Sequence, residues 1–125
     1  MLAKGSFTIQ ITPCDDGDHK AGRLLLDKKY EGDLIGTADG QMLSYRSQTP
    51  GYAGYVAIER VTASLGKKEG AFHLQHHAKL IAGEGEPFVS VVPGSGTGDF
   101  IGLKGDLKII IEKGEHFYEF DYTLE

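Results

Sequence analysis

Along this chain apolar residues recur at every second position. Phe7, Ile9 and Ile11 alternate with Ser6, Thr8 and Gln10; Leu107, Ile109 and Ile111 repeat the pattern, as do Tyr118, Phe120, Tyr122 and Leu124. A period of two places successive side chains on opposite faces of an extended strand. No window of a dozen residues offers the i, i+3, i+4, i+7 stripe of an amphipathic helix. The chain reads as all-β.

Turn residues cut the alternation into pieces. They fall at Asp15-Asp16-Gly17-Asp18, Glu31-Gly32-Asp33, Thr49-Pro50-Gly51, Gly66-Lys67-Lys68-Glu69-Gly70, Gly83-Glu84-Gly85, the segment 93–105 and Lys113-Gly114. Seven turns imply eight strands of about 16 residues each, turn included. Eight consecutive antiparallel strands can close on themselves and so remove the exposed edges that invite aggregation. A sandwich is the rival, but long strands with short connections favour a closed eight-stranded antiparallel up-and-down barrel, with residues 1–125 as a single domain. The interior of such a barrel is just wide enough to be filled by side chains or to hold one small ligand.

Glycine numbers 18 of 125 residues, about twice the usual share. Most of the excess falls at the turns. Gly36 and Gly40 instead lie inside the third strand, where glycine marks a bulge or a tight bend, as a strand coiling around a small barrel requires. Gly5, Gly22, Gly54 and Gly102 are read as strand ends.

The formal charge of −5 lacks the clustered basic face of a nucleic-acid binder, so no nucleic-acid partner is expected. One cysteine, Cys14, cannot form an internal disulfide. Residues 1–12 lack the apolar run of a signal peptide, and no stretch approaches the roughly 18 apolar residues that span a bilayer. These features predict a soluble, cytoplasmic protein without a membrane partner.

Alternation also assigns faces. Leu24, Leu26, Lys28 and Tyr30 share one; Tyr55, Ala57, Glu59, Val61, Ala63 and Leu65 share another; Phe72, Leu74, His76, Ala78 and Leu80 a third. The apolar majority points each set inward, so Lys28, Glu59 and His76 enter the barrel with it. Buried charges are costly unless paired or hydrogen-bonded. Three intruders of complementary type on neighbouring strands can satisfy one another, with the Tyr118 and Tyr122 hydroxyls expected close by. The functional reading is a polar patch in an apolar cavity, the usual anatomy of a small-molecule site, in which Glu59 or His76 would be the acid–base group. The bland reading is an internal ion-pair network, or a register error that puts Glu59 outside beside Arg60.

Other motifs carry less. His73 and His77 share a face but stand about 13 Å apart along a strand, too far to chelate one metal ion. Asp15-Asp16-Gly17-Asp18-His19 lacks the spacing of a calcium loop and is read as a solvated turn. Gly94-Ser95-Gly96-Thr97-Gly98 lacks the ending of a phosphate loop and is read as a flexible connection lining the barrel mouth. No metal site, cofactor or covalent-catalysis motif is expected.

Four segments carry a wider resemblance: Tyr30-Glu31-Gly32-Asp33-Leu34-Ile35-Gly36-Thr37, Val56-Ala57-Ile58-Glu59-Arg60-Val61-Thr62, Gly70-Ala71-Phe72-His73-Leu74-Gln75-His76 and Val91-Val92-Pro93-Gly94-Ser95-Gly96-Thr97-Gly98. With Phe117-Tyr118 and Asp121-Tyr122, they resemble a bacterial family of uncharacterised proteins grouped with the allene-oxide-cyclase-like barrels. The resemblance implies an eight-stranded barrel. It implies little about chemistry, since the family has no established activity; allene oxide cyclases hold a fatty-acid epoxide in a barrel cavity with the help of a glutamate, for which Glu59 is the suggested counterpart. It also places Phe88 where relatives often carry tryptophan, and adds it to the candidate ligand-binding residues Lys28, Glu59, His76, Tyr118 and Tyr122.

Three functions follow as expectations. The first is binding of a small, mostly apolar ligand. The alternatives are an isomerase or cyclase using Glu59 or His76, and a structural homo-oligomer joined through outward residues such as Val56 and Ile58.

Overall fold

A computed structural model of the chain describes residues 1–17 and 21–124. Among the described residues nine strands follow one another with no helix: β1 (Leu2–Pro13), β2 (Gly22–Gly32), β3 (Leu34–Arg46), β4 (Ala53–Leu65), β5 (Lys68–Leu80), β6 (Phe88–Val91), β7 (Thr97–Gly98), β8 (Lys104–Glu112) and β9 (Glu115–Thr123). No helix of the described residues is long and apolar enough to cross a membrane.

All the pairings are antiparallel and, with the two-residue β7 set aside, run in chain order, β9 returning to β1. Eight strands therefore close a barrel, and the two-residue β7 lies against the start of β5. The wall is uneven. β3 and β4 are paired from Leu34–Leu65 to Arg46–Ala53, whereas β6 and β8 meet only at Ser90–Asp106.

The glycines of β3 mark no bulge, because the register runs unbroken through Gly36–Ala63 and Gly40–Glu59. A Cβ on Gly40 would strike the Ile58 carbonyl oxygen and lie 2.7 Å from Glu59 Cα. The inward face of β3 is Leu34, Gly36, Ala38, Gly40 and Met42, small at its centre. Gly5 lies within β1, opposite both Gly32 and Tyr118, rather than at a strand end. A Cβ there would strike the Glu31 carbonyl and the Tyr118 hydroxyl.

Half of the barrel is packed solid. Leu34, Val61, Phe72, Leu74, Phe100 and Phe120 are fully enclosed, with Phe72 stacked on Phe120 and edge-on to Phe100. Phe100 and Leu103 come from the segment after β6, which is a plug at the end of the barrel opposite the cavity rather than a flexible strip at its mouth. β5 extends past β6 and leaves backbone groups without a ladder. Ser95 Oγ accepts from His73 N–H at 3.0 Å and donates to the Val92 carbonyl at 2.7 Å. Thr97 Oγ1 accepts from Ala71 N–H, and an Asp99 carboxylate oxygen from Glu69 N–H. The serine and threonine of the glycine-rich run are thus ladder substitutes.

In the acidic turn, Asp16 accepts two hydrogen bonds from the Arg23 guanidinium at 2.7 and 2.8 Å; Asp18 and His19 lie outside the described residues.

Candidate functional site

The centre of the barrel holds a buried polar cluster built from three strands. Glu59 on β4 is 1% exposed, His76 on β5 is 4% and Lys28 on β2 is 7%. Lys28 Nζ donates to Glu59 Oε1 at 3.0 Å, and His76 Nε2 lies 2.6 Å from the same oxygen. The Tyr30 hydroxyl sits 3.1 Å from both carboxylate oxygens.

Lys28 and Glu59 are separated by β3, about 10 Å of sheet at the usual strand spacing. Lys28 stands opposite Ala38 on β3, and Glu59 opposite Gly40. The ion pair crosses above these two small residues, and larger side chains there would occupy its path. Alternation turns the three charged residues inward; the smallness of β3 lets them meet.

Burial alone would raise the Glu59 carboxyl above its ordinary value. The His76 hydrogen bond and the Lys28 charge outweigh this and hold it below that value, so Glu59 is a carboxylate at neutral pH. The proton between Glu59 and His76 therefore belongs to Nε2, which is the donor. Burial and the Glu59 charge push the Tyr30 phenol well above its usual range, leaving it a neutral donor. Lys28 Nζ also lies 4.8 Å from the centre of the Phe7 ring, a cation–π contact. No enclosed side-chain nitrogen or oxygen among the described residues lacks a hydrogen-bond partner.

Beyond the cluster the barrel is hollow. A cavity of about 340 Å³ is lined by Phe7, Ile9, Leu26, Met42, Ala57 and Ile109, among others, with Lys28, Tyr55, His76 and His116 as its ionisable residues. Ile11, Leu80 and Ile111 line it too and are 47%, 39% and 64% exposed, so they mark the mouth. Lys28 and His76 form the polar floor, and Glu59 and Tyr30 stand behind them.

Lys28, Glu59 and His76 come together as their shared inward faces imply. The two tyrosines expected beside them do not join them. Tyr118 spends its hydroxyl on the turn between β2 and β3, donating toward the Glu31 carbonyl at 2.9 Å and accepting from Leu34 N–H at 2.9 Å. Gly5 leaves room for that ring. Tyr122 stacks on Phe120 in the packed half. Phe88 is 70% exposed on the outer surface, where it stacks on His77. None of the three lines the cavity. The residue that sequence reasoning left without a role is Tyr30. Its inward face was legible; that its hydroxyl reaches a carboxylate two strands away was not. Among the described residues no group of three or more His, Cys, Asp or Glu side chains is placed to hold a metal ion.

Residues 3–122 match the model of a protein family of unknown function, DUF3224. The chain belongs to that family. The crystal structure of a DUF3224 protein of unknown function from Shewanella oneidensis MR-1 is similar to it throughout. The two share 38% identity and superpose with a TM-score of 0.94, over 100% of this chain and 97% of the other. No protein of curated function matches the chain. The family thus has the closed eight-stranded barrel, and its membership brings no named activity.

Proposed function

We propose that this DUF3224 barrel binds one small, mostly apolar molecule with a single polar end. The observation that carries the reading is the division of the barrel interior. One half is filled by aromatic side chains, and the other is an apolar cavity of about 340 Å³ with Lys28 and His76 at its floor. Buried charge is expensive, and a barrel of this size could be packed entirely with hydrocarbon. A cavity and a polar cluster at the same level fit a ligand site better than they fit a stability device. The cytoplasm is the compartment proposed with this function, in keeping with a single, unpaired cysteine.

A second reading rests on the hydrogen bond from His76 Nε2 to Glu59. A carboxylate behind an imidazole orients the ring and supports proton transfer at its other nitrogen. On this reading the acid–base group facing a substrate is His76, and Glu59 is a positioning residue.

Both readings are tested on the purified protein by native mass spectrometry and by thermal unfolding with added 1-decanol. We expect either a co-purifying species released by organic solvent or a rise in Tm that grows with decanol concentration. Absence of both would remove the ligand reading. A co-purifying molecule returned chemically unchanged after long incubation would remove the second.

A further inference from the structure

Hydrogen bonding at the cavity floor is lopsided. Glu59 is the acceptor of the cluster, and its Oε1 already takes Lys28 Nζ and His76 Nε2 while the Tyr30 hydroxyl lies against both oxygens. Lys28 carries three protons and has one carboxylate oxygen among its partners. Among the described residues His76 Nδ1 has no hydrogen-bond partner. It is not sealed in, since every enclosed side-chain nitrogen among the described residues has a partner. The open space on the inward side of His76 is the cavity. These two side chains are only 4% and 5% exposed. Both bond the same oxygen, so they are neighbours on one small floor.

We propose that this floor seats the head group of a carboxylic acid. The proposal rests on the ligand reading above and names the class of ligand. One carboxylate oxygen accepts from Lys28 Nζ, and the other meets His76 Nδ1–H. If His76 is neutral beforehand, the carboxylate enters together with a proton taken from solvent: the N–H bond forms at Nδ1, and no net charge enters the barrel. An alcohol offers one oxygen to two nitrogens. A cationic head group meets Lys28 at close range and is repelled. Charge-assisted hydrogen bonds are about twice as strong as neutral ones, which favours the acid over an alcohol of the same length.

The hydrocarbon body then lies along Ile9, Leu26, Met42 and Ile109 toward the mouth at Ile11, Leu80 and Ile111. A volume of about 340 Å³ accommodates roughly ten non-hydrogen atoms at about 30 Å³ each. That selects medium-chain or single-ring acids over long-chain ones.

Isothermal titration of the whole protein at neutral pH with decanoate, 1-decanol and decyltrimethylammonium tests this. A parallel titration with 4-butylbenzoate separates aliphatic from aromatic sources of the same head group. Decanoate or 4-butylbenzoate should bind at least tenfold tighter than decanol, and the ammonium compound should not compete. The double variant Lys28→Met with Glu59→Gln removes both charges together, so neither is left buried alone. It should lose the preference for the acid, so that decanoate binds this variant no tighter than decanol does. Decanol binding as tightly as both acids, or a preference that survives in the double variant, overturns the carboxylate proposal and leaves the cavity reading standing. If decanol and both acids all fail to bind, the cavity reading falls with it.

Discussion

Glu59 keeps its negative charge at the middle of a barrel because three donors converge on it. Its folded pKa lies below the ordinary carboxyl value of 4.5. The unfolded chain therefore binds a proton before the folded one does as pH falls. The stability contributed by ionised Glu59 is complete above that value and drains away as pH drops through the lower, folded pKa. Glu59→Gln should cost about 3–5 kcal/mol at pH 7, as expected when a buried pair loses one partner. The difference from the wild type should shrink steadily below pH 4.5. Urea midpoints measured between pH 3 and pH 7 check this; a gap unchanged across that range would show that Glu59 is not the linked group. At this scale the sequence was informative where alternation was long. Lys28, Glu59 and His76 each interrupt an apolar face of four or more residues, and each lies inside. Phe88 belongs to a strand of four residues, too short for alternation to fix a face, and it points out. Tyr118 does point in, but the backbone groups of Glu31 and Leu34 capture its hydroxyl, and that capture depends on a contact between distant parts of the chain.

β3 shows how an element's sequence serves its neighbours. Its small inward centre accommodates an ion pair between the strands on either side, so substitutions at Gly40 act on residues that Gly40 does not charge or polarise. Gly40→Ala should destabilise the fold by about 1–3 kcal/mol, the usual cost of overpacking. The new Cβ meets backbone atoms of Ile58 and Glu59 within 3 Å. Gly22→Ala, whose Cβ meets nothing nearer than 3.9 Å, should stay within about 0.5 kcal/mol. Chemical denaturation of the two variants gives the comparison, and equal losses would mean that β3 is free to move away from β4. The glycines of β3 stood out in the sequence as special positions. The ion pair they admit did not, because a gap on one strand says nothing of which side chains cross it. Similarly, all seven turns could be read from glycine and proline, yet the segment between β6 and β8 looked like a loose strip. Its order comes from Ser95, Thr97 and Asp99 bonding the end of β5 that extends past β6 and from Phe100 entering the core. Those are long-range contacts that no local pattern announces.

For the whole molecule, closure was foreseeable from eight alternating strands in succession, and the half-filled interior was not. Filled and hollow barrels share the same alternation; what separates them is whether facing side chains are large enough to meet. The wall also has a thin place. β6 is short and touches β8 at one pair, whereas β4 is paired along its whole length on both sides. Local opening costs least where few backbone bonds are shared. Amide exchange followed by mass spectrometry should therefore be faster for Phe88–Val91 than for the paired core of β3, β4 and β5. Uniform protection around the barrel would mean that the wall opens only by global unfolding.

The plug of Phe100 and Leu103 turns the barrel into a sleeve that is blind at one end. A ligand of the kind proposed would have to leave by the way it came, polar end first in and last out. Such a vessel can carry a cargo but cannot pass it through. Loading and release share one doorway, so a change at Ile11, Leu80 or Ile111 that eases entry eases escape in the same proportion. The tightness of the hold is then set by the floor, and its tempo by the rim.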